Sequence, residues 1–283
     1  MKKIWILARM TFHEAIRRRI VLTGLVLGIL FLVIFSVGFR MISREVMNDG
    51  ENRPALMAHA MQNEMSSFML NAGLYAVAFL SVAMGALLSA DALAGEISSG
   101  TIQTVLTKPI RRSDVVLGKW LGFAGLLALY LLLMAGGAVL IVFLQSGYIP
   151  QNILTALLLM YLESLLVMTF ALMCSSAMPG LATGGTVFGL YGLAFIGGWI
   201  EQIGAIFNNH TAVQVGIVTS LLFPTEAIWR RAAFEMQTSL ATILQMSPFT
   251  TLSVPSMVMV TYAIMYLLST LAIAVKIFQN RDI

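Results

Sequence analysis

Six separate runs of this chain are each long and apolar enough to cross about 30 Å of hydrocarbon, a distance that takes about 20 residues of helix. They extend approximately from Ile20 to Phe39, Leu70 to Ala90, Trp120 to Leu144, Ile153 to Cys174, Thr183 to Ile200 and Ser256 to Phe278. Composition agrees: 59% of the residues are hydrophobic, only 11% are charged, and the mean hydropathy is +0.88. A chain with these properties has lipid as its preferred solvent, which predicts an all-α polytopic membrane protein with six transmembrane helices. A seventh run, Val213 to Phe223, has about half the required length and is expected to form a re-entrant or interfacial segment. The first span has too long a core for a cleaved signal, and Arg40-Met-Ile-Ser-Arg44 offers no small-residue cleavage site.

Lys and Arg placement sets the expected orientation, because loops rich in these residues stay cytoplasmic. With the amino terminus inside, the inner side holds Lys2, Lys3, Arg9, Arg17, Arg18, Arg19, Lys108, Arg111, Arg112, Lys119, Lys276 and Arg281. The outer side holds Arg40, Arg44, Arg53, Arg230 and Arg231. An even number of crossings then places both termini in the cytoplasm. The net charge of +4 is accounted for by this asymmetry, so nucleic acid is not an expected partner. One cysteine, Cys174, excludes an internal disulfide and reads as a small buried apolar residue.

The chain is expected to form one transmembrane domain over residues 1–283, with a leader at 1–19, an inner hairpin at 91–119 and an outer helical region at 201–255. In the leader, Ile4, Trp5, Ala8, Phe12, Ala15 and Ile16 share one side of a helical wheel, while Lys3, Arg9, His13, Glu14 and Arg17 share the other. Such a helix lies along a leaflet, with Trp5 near the headgroups. A solvated basic leader is the plainer alternative, since Ile6 and Met10 interrupt the polar face.

The inner hairpin is the most distinctive segment. Gly100-Thr101 reads as a stop followed by an N-cap, Ile102, Val105 and Leu106 form a short apolar stripe, and Pro109 ends that helix. Ser113 or Asp114 is placed to cap the next helix, and Gly118 with Gly122 allows another helix to approach closely. A short helix held by two spans is suited to transmit force from a partner, with Arg111 or Arg112 as its charge contacts. An inner loop that merely braces spans two and three is the alternative.

This string is similar to the signature of ABC-2 type permeases, the membrane subunits of a class of ATP-driven transporters. In those proteins an acidic residue, a Gly-Thr pair, a leucine, a proline, an arginine and a Gly-Lys pair recur in this order. Glu96, Gly100, Thr101, Leu106, Pro109, Arg112, Gly118 and Lys119 supply them here. The plan is similar as well: an amphipathic leader, six spans, a large outer region before the last one and a short tail, Asn280-Arg281-Asp282. The resemblance implies a coupling helix at 96–110, docking of a separate ATPase through Glu96, Gly100, Thr101, Ile102, Val105, Leu106, Pro109, Arg111 and Arg112, and a second permease copy, identical or not. It also implies the plasma membrane of a bacterium or archaeon, and export as the direction of transport. ATP and magnesium would belong to the partner, with no cofactor in this chain. The residues support one part of this directly: there is no phosphate-binding loop, because Gly118-Lys119 is followed by Trp120 and Ser113 stands at the first glycine position.

Glu163 lies midway along the fourth span, where an unpaired charge costs several kcal/mol. It either lines a translocation path or is a packing residue, protonated or bonded to Ser164, Tyr161 or a neighbouring helix. Asp91 and Glu96 are placed for salt bridges near the hairpin. Gly24 with Gly28, Gly180 with Gly184 and Gly185 with Gly189 permit close helix packing. Met57, Met61, Met65 and Met69 repeat every fourth residue beside His59. Thioethers favour Cu(I), and one branch of similar permeases assists maturation of copper enzymes, but an amphipathic extension of span two explains the stripe without a metal. Asn48-Asp49-Gly50 reads as a turn.

In the outer region, Asn208-Asn209 is a break and Pro224-Thr225 a helix start that puts Glu226 in the first turn. Ala227, Ile228, Trp229, Ala232 and Ala233 are expected at an interface, with Arg230, Arg231 and Glu235 facing water or headgroups. His13 and His210 are isolated surface residues. No zinc or nucleophile-elbow motif is present, so an intramembrane enzyme has only Glu163 in its favour. The expected function is a permease subunit. The competing expectation is a membrane scaffold or sensor subunit that recruits a cytoplasmic ATPase without moving substrate.

Overall fold

The structure, a computed structural model, describes residues 2–50, 55–100, 111–238 and 253–281. Helix dominates it, with no strand among the described residues. The helices are α1 (Lys2–Ile16), α2 (Arg19–Gly50), α3 (Ala55–Ala90), α4 (Ala94–Ser98), α5 (Arg112–Ser146), α6 (Ile153–Ala177), α7 (Gly180–Ile206), α8 (His210–Leu222), α9 (Thr225–Met236) and α10 (Met257–Asn280). Six of them, α2, α3, α5, α6, α7 and α10, have the length and hydropathy of membrane spans, at the six places expected.

α6 occupies the middle, packed against α3, α5, α7, α9 and α10. Its burial explains its sequence: nearly every turn is apolar all round, as a helix surrounded by helices requires. α2 lies at the periphery, and its Leu22, Val26, Ile29, Leu30, Val33 and Ile34 face outward, which in lipid carries no penalty. Small residues let the layers close. Tyr130 donates to the Gly24 carbonyl (3.1 Å) where α5 crosses α2, Gln145 Nε2 to Ser36 Oγ (3.1 Å) on the same pair, and Trp120 Nε1 to Thr169 Oγ1 (2.8 Å) between α5 and α6.

The leader is the helix expected, but its partner is protein. α1 packs along the first turns of α5, where a Cβ on Gly118 would stand 2.5 Å from Leu7 Cβ and one on Gly122 would stand 2.8 Å from the Ala8 carbonyl. The close approach predicted for these two glycines is therefore made by α1. Ala8, Thr11 and Ala15 form its buried stripe, while Trp5, Ile6, Met10 and Ile16 point away from the bundle. The apolar residues consequently divide over two faces, one for α5 and one for the surroundings, so Trp5 and Ile16 leave the protein-facing stripe and the break at Ile6 and Met10 disappears.

Two local expectations are corrected. Asn48-Asp49-Gly50 is not a turn, because α2 continues through Gly50; at 1.5 Å per residue α2 and α3 run about 48 and 54 Å, well beyond the hydrocarbon. α5 begins at Arg112 with Arg111 as the capping residue, and Asp114 sits in its first turn, where a negative charge complements the helix dipole. The Met stripe lies on this extension: Met65 and Met69 line a small gap with Phe39, Ser43, Gln62 and Ser66, whereas Met61 and His59 are exposed. The Met57 side chain lies outside the described residues, and no group of three His, Cys, Asp or Glu side chains is placed to hold a metal among the described ones. Cys174 is buried.

Candidate functional site

Two polar centres interrupt the apolar bundle, one at the end that carries the basic residues and one toward the opposite end. At the basic end, α3 stops at Ala90 and α4 follows after three turn residues. The backbone N–H groups of Leu93 and Ala94 both donate to Ser175 Oγ on α6, each at 3.1 Å. Asp91 lies against Gly180, where a Cβ would stand 2.7 Å from its Oδ1. Glu96 forms an ion pair with Lys119 of α5 at 2.6 Å. Lys119 is 5% exposed, so its charge needs this partner. Gly100, at φ +71°, ends the segment in the left-handed region that favours glycine.

On the far side of the hairpin, Arg112 Nη1 donates to the carbonyls of Gln279 (3.2 Å) and Arg281 (2.5 Å), and Arg281 Nη1 to that of Ser176 (2.5 Å). These guanidinium groups satisfy orphan carbonyls at the ends of α10 and α6. The two flanks of the hairpin are thereby tied to α5, α6 and α10. Thr101, Ile102, Val105, Leu106, Lys108 and Pro109 lie outside the described residues. Of the expected docking residues that are described, Arg111 is exposed, Arg112 is engaged with the α10 terminus, and Glu96 is engaged with Lys119.

Toward the opposite end, α8 and α9 are bent by 107° at Phe223-Pro224. The break at Asn208-Asn209 occurs as expected: Asn208 has φ +53°, and Asn209 Oδ1 caps α8 by accepting from Ala212 N at 3.2 Å. α9 carries four charged residues in twelve positions, yet it packs between α6, α7, α3 and α10. Ala227, Ile228, Trp229, Ala232 and Ala233 are buried, as expected of an interface.

The charged face of α9 departs from the expectation. Arg230 does not face water: it is 3% exposed and bound to Glu201 of α7 at 2.7 Å. Ser253 Oγ donates to the other Glu201 oxygen at 2.5 Å. Arg231 and Glu235 are also largely covered, paired at 2.5 Å, with Arg231 over the Phe234 ring and Asn152 donating to Glu235. The helical wheel gave α9 one interface; the fold gives it several, so the arginines are paired where the wheel left them solvated. Sequence reasoning missed Glu201 and Glu226 as site residues, and the available signal was the charge spacing of Glu226, Arg230 and Arg231 beside an apolar run too short to span.

Glu163 is 1% exposed and Glu226 is 5% exposed. Neither proposed bonding partner serves Glu163, because Ser164 donates to the Met160 carbonyl and Tyr161 to that of Ala124. Glu226 instead lies within electrostatic reach, as do Tyr75 and Tyr191. Tyr75 packs on Trp229 with ring centroids 4.9 Å apart. Beside this centre, a cavity of about 240 Å³ is lined by Glu201, Ser220, Arg230 and Ser253 together with apolar Leu221 and Met259.

The search of curated proteins returns no significant match. The family described as ABC-2 family transporter protein matches residues 5–283. That match covers the leader, the six spans, the hairpin and the buried α9, and the chain therefore belongs to the ABC-2 family of transporter membrane proteins, as a permease component of an ABC transporter.

Proposed function

We propose that this permease couples ATP hydrolysis in a separate subunit to export of an amphiphilic substrate, with the basic end of the bundle in the cytoplasm. The observation that supports the reading is the bracing of the hairpin. Residues 101–110 join two ends that are fixed to α5, α6 and α10 by the Ser175, Glu96–Lys119 and Arg112 contacts. Flanks held this way would pass a displacement on to the bundle. Ile102, Val105 and Leu106 would seat in a groove of the ATPase, and Arg111, exposed at the foot of α5, would supply a charge contact. Glu96 and Arg112 act as positioning residues. The cavity of about 240 Å³ beside Arg230, lined by both polar and apolar side chains, supports an amphiphile as cargo. A second permease copy completes the assembly.

The test is co-purification of the ATPase with membrane-inserted variants. Leu106→Asp, or deletion of Glu96 to Pro109, is expected to abolish association while the chain still inserts. Unimpaired co-purification would remove the docking assignment. Vanadate-sensitive hydrolysis stimulated by a compound that is never transported would favour a scaffold over a permease.

A further inference from the structure

The cavity beside α9 holds a guanidinium whose hydrogen-bonding capacity is largely unused. Arg230 is buried, and an arginine carries five N–H donors. Its one short bond is Nη2 to Glu201 at 2.7 Å. Nη2 to Ser220 Oγ and Nη1 to the Ser253 carbonyl are both 3.4 Å, longer than the usual N–H···O range, and Nε has no partner among the described residues. Buried donors are ordinarily satisfied, and a charged one left over is costly. Arg230 lines the cavity of about 240 Å³, so what the group lacks is an acceptor placed there.

A second set of donors opens on the same space. The 24-residue α10 starts at the cavity wall, to which its capping residue Ser256 and Met259 of its first turn both belong. Ser256 makes no side-chain capping bond, and the first turn of α10 carries no acidic residue. The positive end of the helix dipole and its N-terminal N–H groups are therefore not neutralised from within α10.

The opposing charge on the wall is Glu201, whose Oε2 binds Arg230 and whose Oε1 accepts from Ser253 at 2.5 Å. Arg230 and Glu201 cancel. A bare anion entering the cavity meets the carboxylate, and a bare cation meets the guanidinium and the α10 terminus. A head group that carries both signs meets neither objection, because its anion can accept from Arg230 Nε while its ammonium donates to Glu201, which keeps lone pairs free. Ile217, Leu221 and Met259 continue the wall as apolar surface, suited to the start of an acyl chain. The volume is below the roughly 300–1,000 Å³ of a pocket that encloses a whole ligand, which fits a head group with its chains left outside.

We propose that this cavity binds the zwitterionic head group of a phospholipid-type amphiphile, with the phosphate oxygens at Arg230 and the α10 N-terminus and the ammonium at Glu201. The inference rests on the cavity being the cargo site of the exporter and narrows the cargo to that class. Its test uses the permease without an ATPase, so loss of hairpin docking and loss of head-group binding are separate readings.

Native mass spectrometry of the full-length protein in detergent supplies the test, with phosphatidylethanolamine and phosphatidylglycerol of identical chains at equal concentration. The expected result is one phosphatidylethanolamine retained per chain in preference to phosphatidylglycerol. The double variant Arg230→Met with Glu201→Gln should weaken that retention by about tenfold to a hundredfold, the worth of one charge-assisted hydrogen bond. Met259→Trp, which fills the cavity without touching either charge, should abolish it, and this variant decides alone if the double variant fails to accumulate. Equal retention of the two lipids, retention that the variants leave unchanged, or displacement of the lipid by inorganic phosphate, which would show a site for anions only, overturns the proposal.

Discussion

Arg230 carries the clearest energetic prediction. Its pair with Glu201 has side-chain exposures of 4% and 5% and a separation of 2.7 Å, so neither ion has water to fall back on. Replacing Arg230 by Met keeps most of the side-chain volume and removes the charge, leaving Glu201 with Ser253 Oγ as its remaining donor. Breaking a buried pair from one side costs about 3–5 kcal/mol, which at about 1.4 kcal/mol per decade is two to three and a half powers of ten in the folding equilibrium. Against a total stability of about 5–15 kcal/mol, that loss is large. The double variant Arg230→Met with Glu201→Gln removes both charges together, and most of the cost should return. The assay is unfolding of the purified protein in mild detergent, run as a double-mutant cycle. Arg231→Met serves as the comparison: its partner Glu235 is four residues away on the same helix and both are more accessible, at 17% and 13%. A loss of under about 1 kcal/mol for Arg230→Met, the range of exposed ion pairs, would refute the reasoning. So would a double variant as unstable as the single one.

Two further outcomes follow from the basic end. Gly122→Leu is expected to lift α1 off α5 and cost about 1–3 kcal/mol, because the obstruction is the Ala8 carbonyl at 2.8 Å, whereas Gly136→Ala, with nothing within 4 Å, should be near neutral; thermal unfolding of both variants checks this. Ser175→Ala removes the acceptor of two buried N–H groups and should cost about 1–3 kcal/mol locally, read as reduced ATPase co-purification at unchanged membrane insertion.

The spans were legible because a bilayer imposes one length on every crossing, and runs such as Ile153 to Cys174 meet it with little ambiguity. Breaks were legible where a backbone rule applies locally, as at Asn208-Asn209 and Pro224. Side-chain destinations were not. A helical wheel for α9 cannot tell that Arg230 meets Glu201, since the partner is 29 residues away on another helix. The leader is legible as a helix, but its two apolar faces, one toward α5 and one outward, merge on the wheel into a single imperfect stripe. Glu163 was legible as costly, while the carboxyl that shares its environment sits in a segment too short to announce itself as buried.

The two polar centres are joined by one rigid element. Ser175, which accepts from the N–H groups ahead of the hairpin, and Glu163, within electrostatic reach of Glu226 on α9, lie twelve residues apart on α6, about 18 Å along an uninterrupted helix. α6 is buried over most of its length, so it cannot shift at one end without repacking the other. A displacement at the Ser175 end therefore has a route to the seat of α9 through a single helix, without a chain of loops. Spatial continuity alone does not establish energetic coupling, which requires that two perturbations be non-additive. The expected outcome is that Ser175→Ala and Glu226→Gln, each measured for its effect on unfolding, differ from additivity by more than about 0.5 kcal/mol despite being too far apart for contact, where independent sites would add within about 0.3–0.5 kcal/mol. Additive behaviour would mean that α6 holds two unrelated sites and that its two ends are not coupled through it.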